Sequence, residues 1–317
     1  MQEPSIPPVG AENGDVRLSR MESIIKDEAK RLRRAGPSRD GTDPLYDKPW
    51  FLMAGTQADR TTHLLEQARA DSPDHAAMPA DGAGWRWWHL RQCIIIELAH
   101  DLLCTSDNPQ AWRQMEAAMT LLLERRRHRP LDGLVMVVSV PLSDQEAERL
   151  GRHMRALAFE ARQTLGMNIP VHLVVSGCDR LRGYEWFFGH MGRDSAQQAL
   201  GHRFDPPISG GTGPAAFTMA MDRLLERLHA LRLGYLLEAP QGQPPLEAWL
   251  FVEEFSALCT ALSRLVDMLV SDSAATRPAS LRSVYFTADT GSHPHVGDAF
   301  TRFLPADAPL TRREKSR

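Results

Sequence analysis

Short apolar runs recur along the first half of the chain: "WFLMA" (50–54), "CIIIEL" (93–98), "GLVMVVSV" (133–140) and "PVHLVVS" (170–176). Each is unbroken rather than alternating, the pattern of strands buried on both faces. Longer segments with helical spacing separate them. "AWRQMEAAMTLLLERRRHR" (111–129) reads as a helix, and so does "SDQEAERLGRHMRALAFEARQTLG" (143–166), where Ser143 and Glu146 form a capping box. Upstream, residues 16–35 place Val16, Leu18, Met21, Ile24, Ile25, Ala29 and Leu32 on one stripe and end in arginines, which suits a helix C-terminus. Downstream come two long amphipathic helices, 214–239 and 246–271, and a last strand, "RSVYFTA" (282–288). Strands alternating with helices predict an α/β fold: a mostly parallel sheet flanked by helices, with a C-terminal helical subdomain whose chain returns to the sheet.

A chain of 317 residues that is 43% hydrophobic has enough apolar side chain for a full core. Its net charge of −3 gives no ground for nucleic acid as a general partner. Cys93, Cys104, Cys178 and Cys259 are widely spaced, form no CxxC or zinc pattern, and read as reduced core thiols. The polar opening "MQEPSIPPVGAENGD" has no signal-peptide apolar region, and residues 1–15 are expected to be disordered. The longest apolar runs are about half of what a membrane helix needs, so the expectation is a soluble domain with a flexible charged tail, "LTRREKSR".

The first strand runs into "GTQADRTT" (55–62), where a phosphate-binding loop would sit. Such a loop needs GxxxxGK(S/T): glycines let backbone N–H groups surround phosphate, lysine neutralises it, and a hydroxyl holds magnesium. Gly55 and Thr62 fit, but Arg60 takes the second glycine's place and Thr61 the lysine's. With one residue deleted, Arg60 stands for the lysine and Thr61 for the magnesium hydroxyl. Asp59 puts negative charge where phosphate would lie; as an ordinary turn, the same stretch would use Asp59 as a helix cap. After the second strand a DxxG motif would hold magnesium and γ-phosphate. Here "ELAH" offers Glu97 in place of the aspartate and His100 in place of the glycine. After the fourth strand a guanine-reading (N/T)KxD is replaced by "SGCD", which keeps Asp179 and puts Gly177 where the lysine belongs. Three damaged motifs, each in the correct position, predict a retained fold with a lost or altered active site.

The chain resembles the cytoplasmic domain of the IcmF/TssM family, the large inner-membrane component of the type VI secretion system. The resemblance rests on "LYDKPWFLMAG" (45–55), "WRWWHLRQCIIIELA" (85–99), "RRRHRPLDGLVMVVSV" (125–140), "IPVHLVVSGCDRLRGYEWFF" (169–188), "GHRF" (201–204) and "LRSVYFTADTGS" (281–292). It implies a Ras-like P-loop NTPase fold at the cytoplasmic side of the bacterial inner membrane. The partners it implies are the TssL cytoplasmic domain and baseplate proteins such as TssK. Some members carry an intact phosphate loop and others lack it; this chain looks like the second kind, with no cofactor expected. The alternative is a working ATPase or GTPase with magnesium, using Arg60, Thr61 or Thr62, Glu97 and Asp179. On this reading 1–44 is a flexible N-terminus and leading helix, and 45–209 the degenerate NTPase-like domain. The helical subdomain is 210–280, and 281–317 holds the final strand and tail. No flanking membrane helix is present, which fits either an excised domain or a free-standing relative.

Trp85, Trp87 and Trp88 precede the second strand and offer either a binding hot spot or packing for a sheet edge. Arg125, Arg126 and Arg127 in "ERRRHR" offer either a contact to acidic lipid or protein, or the solvated end of a helix. In "GYEWFF", Tyr184, Trp186, Phe187 and Phe188 divide between packing and a partner-facing surface. His293 and His295 have HxH spacing, but nothing beside them completes a metal site. No nucleophile–base spacing stands out, the pair Cys178 and His190 included, so no catalytic residue is assigned.

Overall fold

The computed structural model describes residues 14–34, 43–56, 58–70, 80–82, 85–98, 109–189, 191, 198–238, 246–272, 277–290 and 294–313. Helix α1 spans Gly14–Arg34, strand β1 Trp50–Gly55, helix α2 Ala58–Ala70, and strands β2, β3 and β4 Ala80–Gly82, Trp85–His89 and Ile94–Leu98. Helix α3 (Pro109–Arg125), strand β5 (Gly133–Ser139), helix α4 (Asp144–Leu165), strand β6 (Met167–Asn168) and strand β7 (Pro170–Ser176) follow. Then come helix α5 (Tyr184–Gly189), strand β8 (Leu200–Ile208), helices α6 (Gly213–Glu238) and α7 (Glu247–Val270), strand β9 (Ser280–Phe286), and strand β10 (Arg312–Arg313). The four apolar runs and "RSVYFTA" all become strands, as their patterning predicts. The Ser143 hydroxyl accepts the Glu146 N–H at 3.3 Å and so caps α4.

The main sheet has eight strands in the order β2-β3-β4-β1-β5-β7-β9-β8. β4, β1, β5, β7 and β9 run parallel; β3 is antiparallel to β4, β2 to β3, and β8 to β9. The continuous apolar runs are explained by cover on both faces. One face carries Leu52, Ile96, Met136, Leu173 and Val284 under α1, α3, α4, α6 and α7. The other carries Phe51, Met53, Ile95, Val135 and Val174 under α2 and the segment 296–304. Helices α6 and α7 add Phe217, Phe251, Phe255 and Leu262 to the same cluster as the sheet, so the C-terminal helices share the domain's core.

Several expectations are corrected. Trp85, Trp87 and Trp88 form a strand of their own and are all buried, so they present no surface to a partner. Trp87 packs edge-on against Trp50 with ring centroids 5.1 Å apart. Tyr184, Phe187 and Phe188 are buried in one aromatic cluster with Phe251, and half-buried Trp186 packs on Tyr235. The tail is held as far as Arg313: Arg312 and Arg313 pair antiparallel with Asn168 and Met167. The expectations for residues 1–13, Cys104, His100, His190 and His293 lie outside the described residues.

Arg126, proposed from sequence as a surface contact, is instead fully buried at the amino-terminal end of the sheet. Its guanidinium donates to the Asp132 carboxylate at 2.8 Å and to the carbonyls of Leu45 and Lys48, and lies over the rings of Trp50 and Tyr46. The same Asp132 oxygen accepts the Trp50 N–H at 2.7 Å. One ion pair therefore sets β1, β5 and the turn at 44–46 against each other. Removing one member leaves the other charged in an apolar interior. Arg126→Ala is expected to destabilise the chain by about 3–5 kcal/mol in urea unfolding, and a loss under about 1 kcal/mol would contradict this role.

Candidate functional site

The sequence-derived candidates meet at the carboxyl-terminal ends of β1, β4 and β7. Parallel strands of different lengths end together there, and their loops converge. Helix α2 starts at Ala58, which places Asp59 inside its first turn and not at its N-cap. Arg60 and Thr61 follow on that turn, and both are buried. Thr61 packs on the end of β1 so closely that a Cβ on Gly55 would collide with its hydroxyl. The glycine is therefore needed, but the group that approaches it is the chain's own threonine.

Arg60 points the other way, across the edge of the sheet, and forms an ion pair with Asp289 in the loop after β9. Its guanidinium lies on Gly177, whose φ of 76° belongs to the left-handed region and where a Cβ would collide with Arg60 Nη1. The missing lysine of the base-reading motif is thus replaced by the glycine that makes room for Arg60. The Asp289 carbonyl accepts from His63 Nε2 at 2.5 Å and from Gln67 Nε2 at 2.7 Å, both on α2. The Asp289 N–H donates to one oxygen of Asp179 at 2.9 Å, and the Thr290 hydroxyl donates to the other at 2.6 Å. Asp179, the candidate for reading a base, spends both carboxylate oxygens on the 289–290 loop.

Thr62 and Glu97 also meet. The Thr62 hydroxyl donates to Glu97 Oε1 at 3.1 Å, and Trp88 Nε1 donates to Oε2 at 2.7 Å. Arg86, opposite Glu97 in the β3–β4 register, reaches the same pair. Its Nη1 donates to Thr62 Oγ1 at 3.1 Å and lies 3.9 Å from Glu97 Oε2. A hydroxyl, a carboxylate and a guanidinium therefore share one spot, with positive charge already supplied.

All six loop and strand-end candidates, Gly55, Arg60, Thr61, Thr62, Glu97 and Asp179, thus lie on this edge. The other group of candidates does not join them. Arg125 and Arg127 lie at the opposite pole, where Arg125 is half-exposed and ion-paired with Glu22 at 3.6 Å, and Arg127 is exposed. Arg86, Asp289, Thr290, His63 and Gln67 were missed. Alternation in "WRWWH" put Arg86 on the Trp88 face, and "TADTG" put an acid and a hydroxyl directly after the last strand; both signals were legible.

Burial raises the Cys93 thiol to about 12 and pushes Cys178 up further, so neither is poised as a thiolate. Among the described residues no group of three His, Cys, Asp or Glu side chains is placed to hold a metal ion, and no helix is long and apolar enough to cross a membrane.

A sequence model of the IcmF-related N-terminal domain matches residues 105–317, which takes in β5, β7, Asp179 and Asp289 but neither the 55–62 loop nor Glu97. The type VI secretion system component TssM1 of Pseudomonas aeruginosa is 26% identical over 280 residues, covering 82% of this chain and 25% of that protein. The chain therefore spans about a quarter of that relative's length. A crystal structure of an SsGBP–GDP complex aligns over 55% of each chain with a TM-score of 0.28 and 13% identity, too slight a likeness to carry an argument.

The Arg60–Gly177 packing makes a measurable difference between two glycines in the left-handed region. Gly166 also has positive φ, but a Cβ there meets nothing. Gly166→Ala is expected to cost about 1 kcal/mol, the backbone term alone. Gly177→Ala should cost more in chemical unfolding, and the excess should vanish in an Arg60→Ala background. Equal costs at the two sites would show that Arg60 does not rest on Gly177.

Proposed function

The chain belongs to the IcmF-related family, and we propose that it is a cytoplasmic scaffold domain of a type VI secretion membrane complex, built on a Ras-like P-loop frame that no longer takes nucleotide. The frame is supported by position: a glycine-ended strand at the middle of a mainly parallel sheet feeds a helix whose first turn faces the carboxyl edge. The loss of nucleotide binding rests on one observation. The positions that phosphate, magnesium and base would need are taken by the chain's own groups, Arg60 with Asp289, Arg86 between Thr62 and Glu97, and the 289–290 loop on Asp179. A bound triphosphate would have to displace the Asp289 carboxylate, and a metal would have to displace a guanidinium of its own charge sign.

Such a domain would act through surfaces. The partners implied by the family resemblance are the cytoplasmic domain of TssL and baseplate proteins such as TssK, and the domain would help join the baseplate to the membrane complex. Met219, Leu233, Leu237, Leu246 and Trp249 are exposed on or beside α6 and α7, and they offer the apolar anchors a protein contact needs.

Titration calorimetry of the chain with GTP and ATP analogues plus magnesium is expected to give no saturable heat up to about millimolar ligand, a limit of about −4 kcal/mol in binding free energy. Micromolar binding that is lost in Arg60→Ala would overturn the proposal. It would make Arg60 a substitute for the missing lysine and the chain a working ATPase or GTPase.

A further inference from the structure

The pole opposite the closed edge carries a surface assembled from two distant parts of the chain. Arg127 and His128 form an exposed turn after α3, and Arg312 and Arg313 form the exposed strand β10. Two bonds hold the segments together: Arg313 Nη2 donates to the Arg127 carbonyl at 2.7 Å, and the Thr311 hydroxyl donates to the Asp132 carbonyl at 2.7 Å. Arg129 adds a partly exposed guanidinium bonded to Asp132, a carboxylate that also serves Arg126. Two arginines thus share one buried acid there. Among the described residues Arg127, Arg312 and Arg313 form no ion pair. Acids on the adjoining segments are Asp43, held by Arg33, and exposed Asp47 and Glu124, fewer charges than the guanidinium groups gathered there. A chain with net charge −3 therefore gathers unneutralised guanidinium groups at one end of its sheet.

We propose that this pole docks on an anionic lipid surface. The chemistry favours headgroups over a protein or a nucleic acid. Stable protein interfaces centre on buried apolar or aromatic anchors, and among the described residues the large exposed apolar side chains all lie on or beside α6 and α7. Sequence readout of nucleic acid needs base contacts or stacking platforms, and among the described exposed residues at this pole His128 alone carries a ring, while the net charge of −3 disfavours a long polyanion. A fluid layer of phosphate groups needs only accessible positive charge, and guanidinium binds phosphate well. Three arginines near such a surface give about a hundredfold preference for anionic over neutral bilayers. This inference does not depend on the state of the opposite edge, so nucleotide binding and lipid binding are separate readouts.

The test is co-sedimentation of the full chain with vesicles of phosphatidylcholine, alone or with about a third phosphatidylglycerol, in about 0.1 M salt. The chain is expected to sediment with the anionic vesicles and not with the neutral ones. The double variant Arg127→Glu/Arg313→Glu should lose at least about tenfold of that binding. A control with the same change in charge, Arg223→Glu/Arg227→Glu on the exposed face of α6, should retain it. If the first variant fails to fold, as judged by circular dichroism, Arg127→Gln/Arg313→Gln replaces it with the same expectation. No preference for anionic vesicles would overturn the proposal. So would equal loss in the α6 control, or retention on immobilised polyglutamate or duplex DNA with no vesicle binding.

Discussion

A guanidinium buried at the carboxyl edge of a parallel sheet has to be neutralised, and the shape of that edge follows from how Arg60 is. Its partner Asp289 comes from the far end of the sequence, so the loop after β9 must fold over the end of β7 to deliver it. That loop is then held by the rest of α2 through His63 and Gln67 and by Asp179 through its N–H and the Thr290 hydroxyl. Gly177 is small because Arg60 lies on it, and Gly55 is small because Thr61 does. A single cation thereby organises residues from three segments, two of which read from sequence as separate damaged motifs.

The opposite pole uses the same solution for structure. Arg126 is buried against Asp132, Trp50 and Tyr46 and fixes the start of β1 beside the start of β5. Buried ion pairs are weak sources of net stability but strict about geometry, because a lone member left inside is costly. The domain therefore has two ends locked by arginine–aspartate pairs around an apolar middle. Between them the sheet is covered on both faces by apolar side chains, and the buried polar pair His172 and Ser283 bond to each other at 2.8 Å. In the proposed scaffold role, an edge locked in this way would transmit position and would not open around a ligand.

Unbroken apolar runs mark strands that are buried on both faces, and helical stripes mark their covers, so β1, β4, β5, β7, β9 and the long helices were legible in the sequence. The edge strands were harder. β3 is "WRWWH", where three tryptophans mask an alternation that sends Arg86 and Trp88 to one face and Trp85 and Trp87 to the other. β8 contains two prolines and pairs only at its ends with β9, so its run carries no strand signature. At the site, local motif positions named Gly55, Arg60, Thr61, Thr62, Glu97 and Asp179 correctly as neighbours. The residues that close it, Asp289 and Arg86, reach it through sheet order and register, which no local spacing encodes. The arginine run shows the same limit: adjacent Arg125, Arg126 and Arg127 look alike in sequence, and only the turn at the end of α3 sends one inward and leaves the others outside.

Whether Arg60 is held by Asp289 or free to meet a ligand decides the state of the carboxyl edge. A double-mutant cycle of Arg60→Ala and Asp289→Ala, read by urea unfolding, measures this directly. A pair formed in solution couples the two substitutions by about 1 kcal/mol or more, the double variant being less destabilised than the sum of the singles. Additivity to within about 0.5 kcal/mol would mean that the pair does not form in solution, and that the carboxyl edge is open.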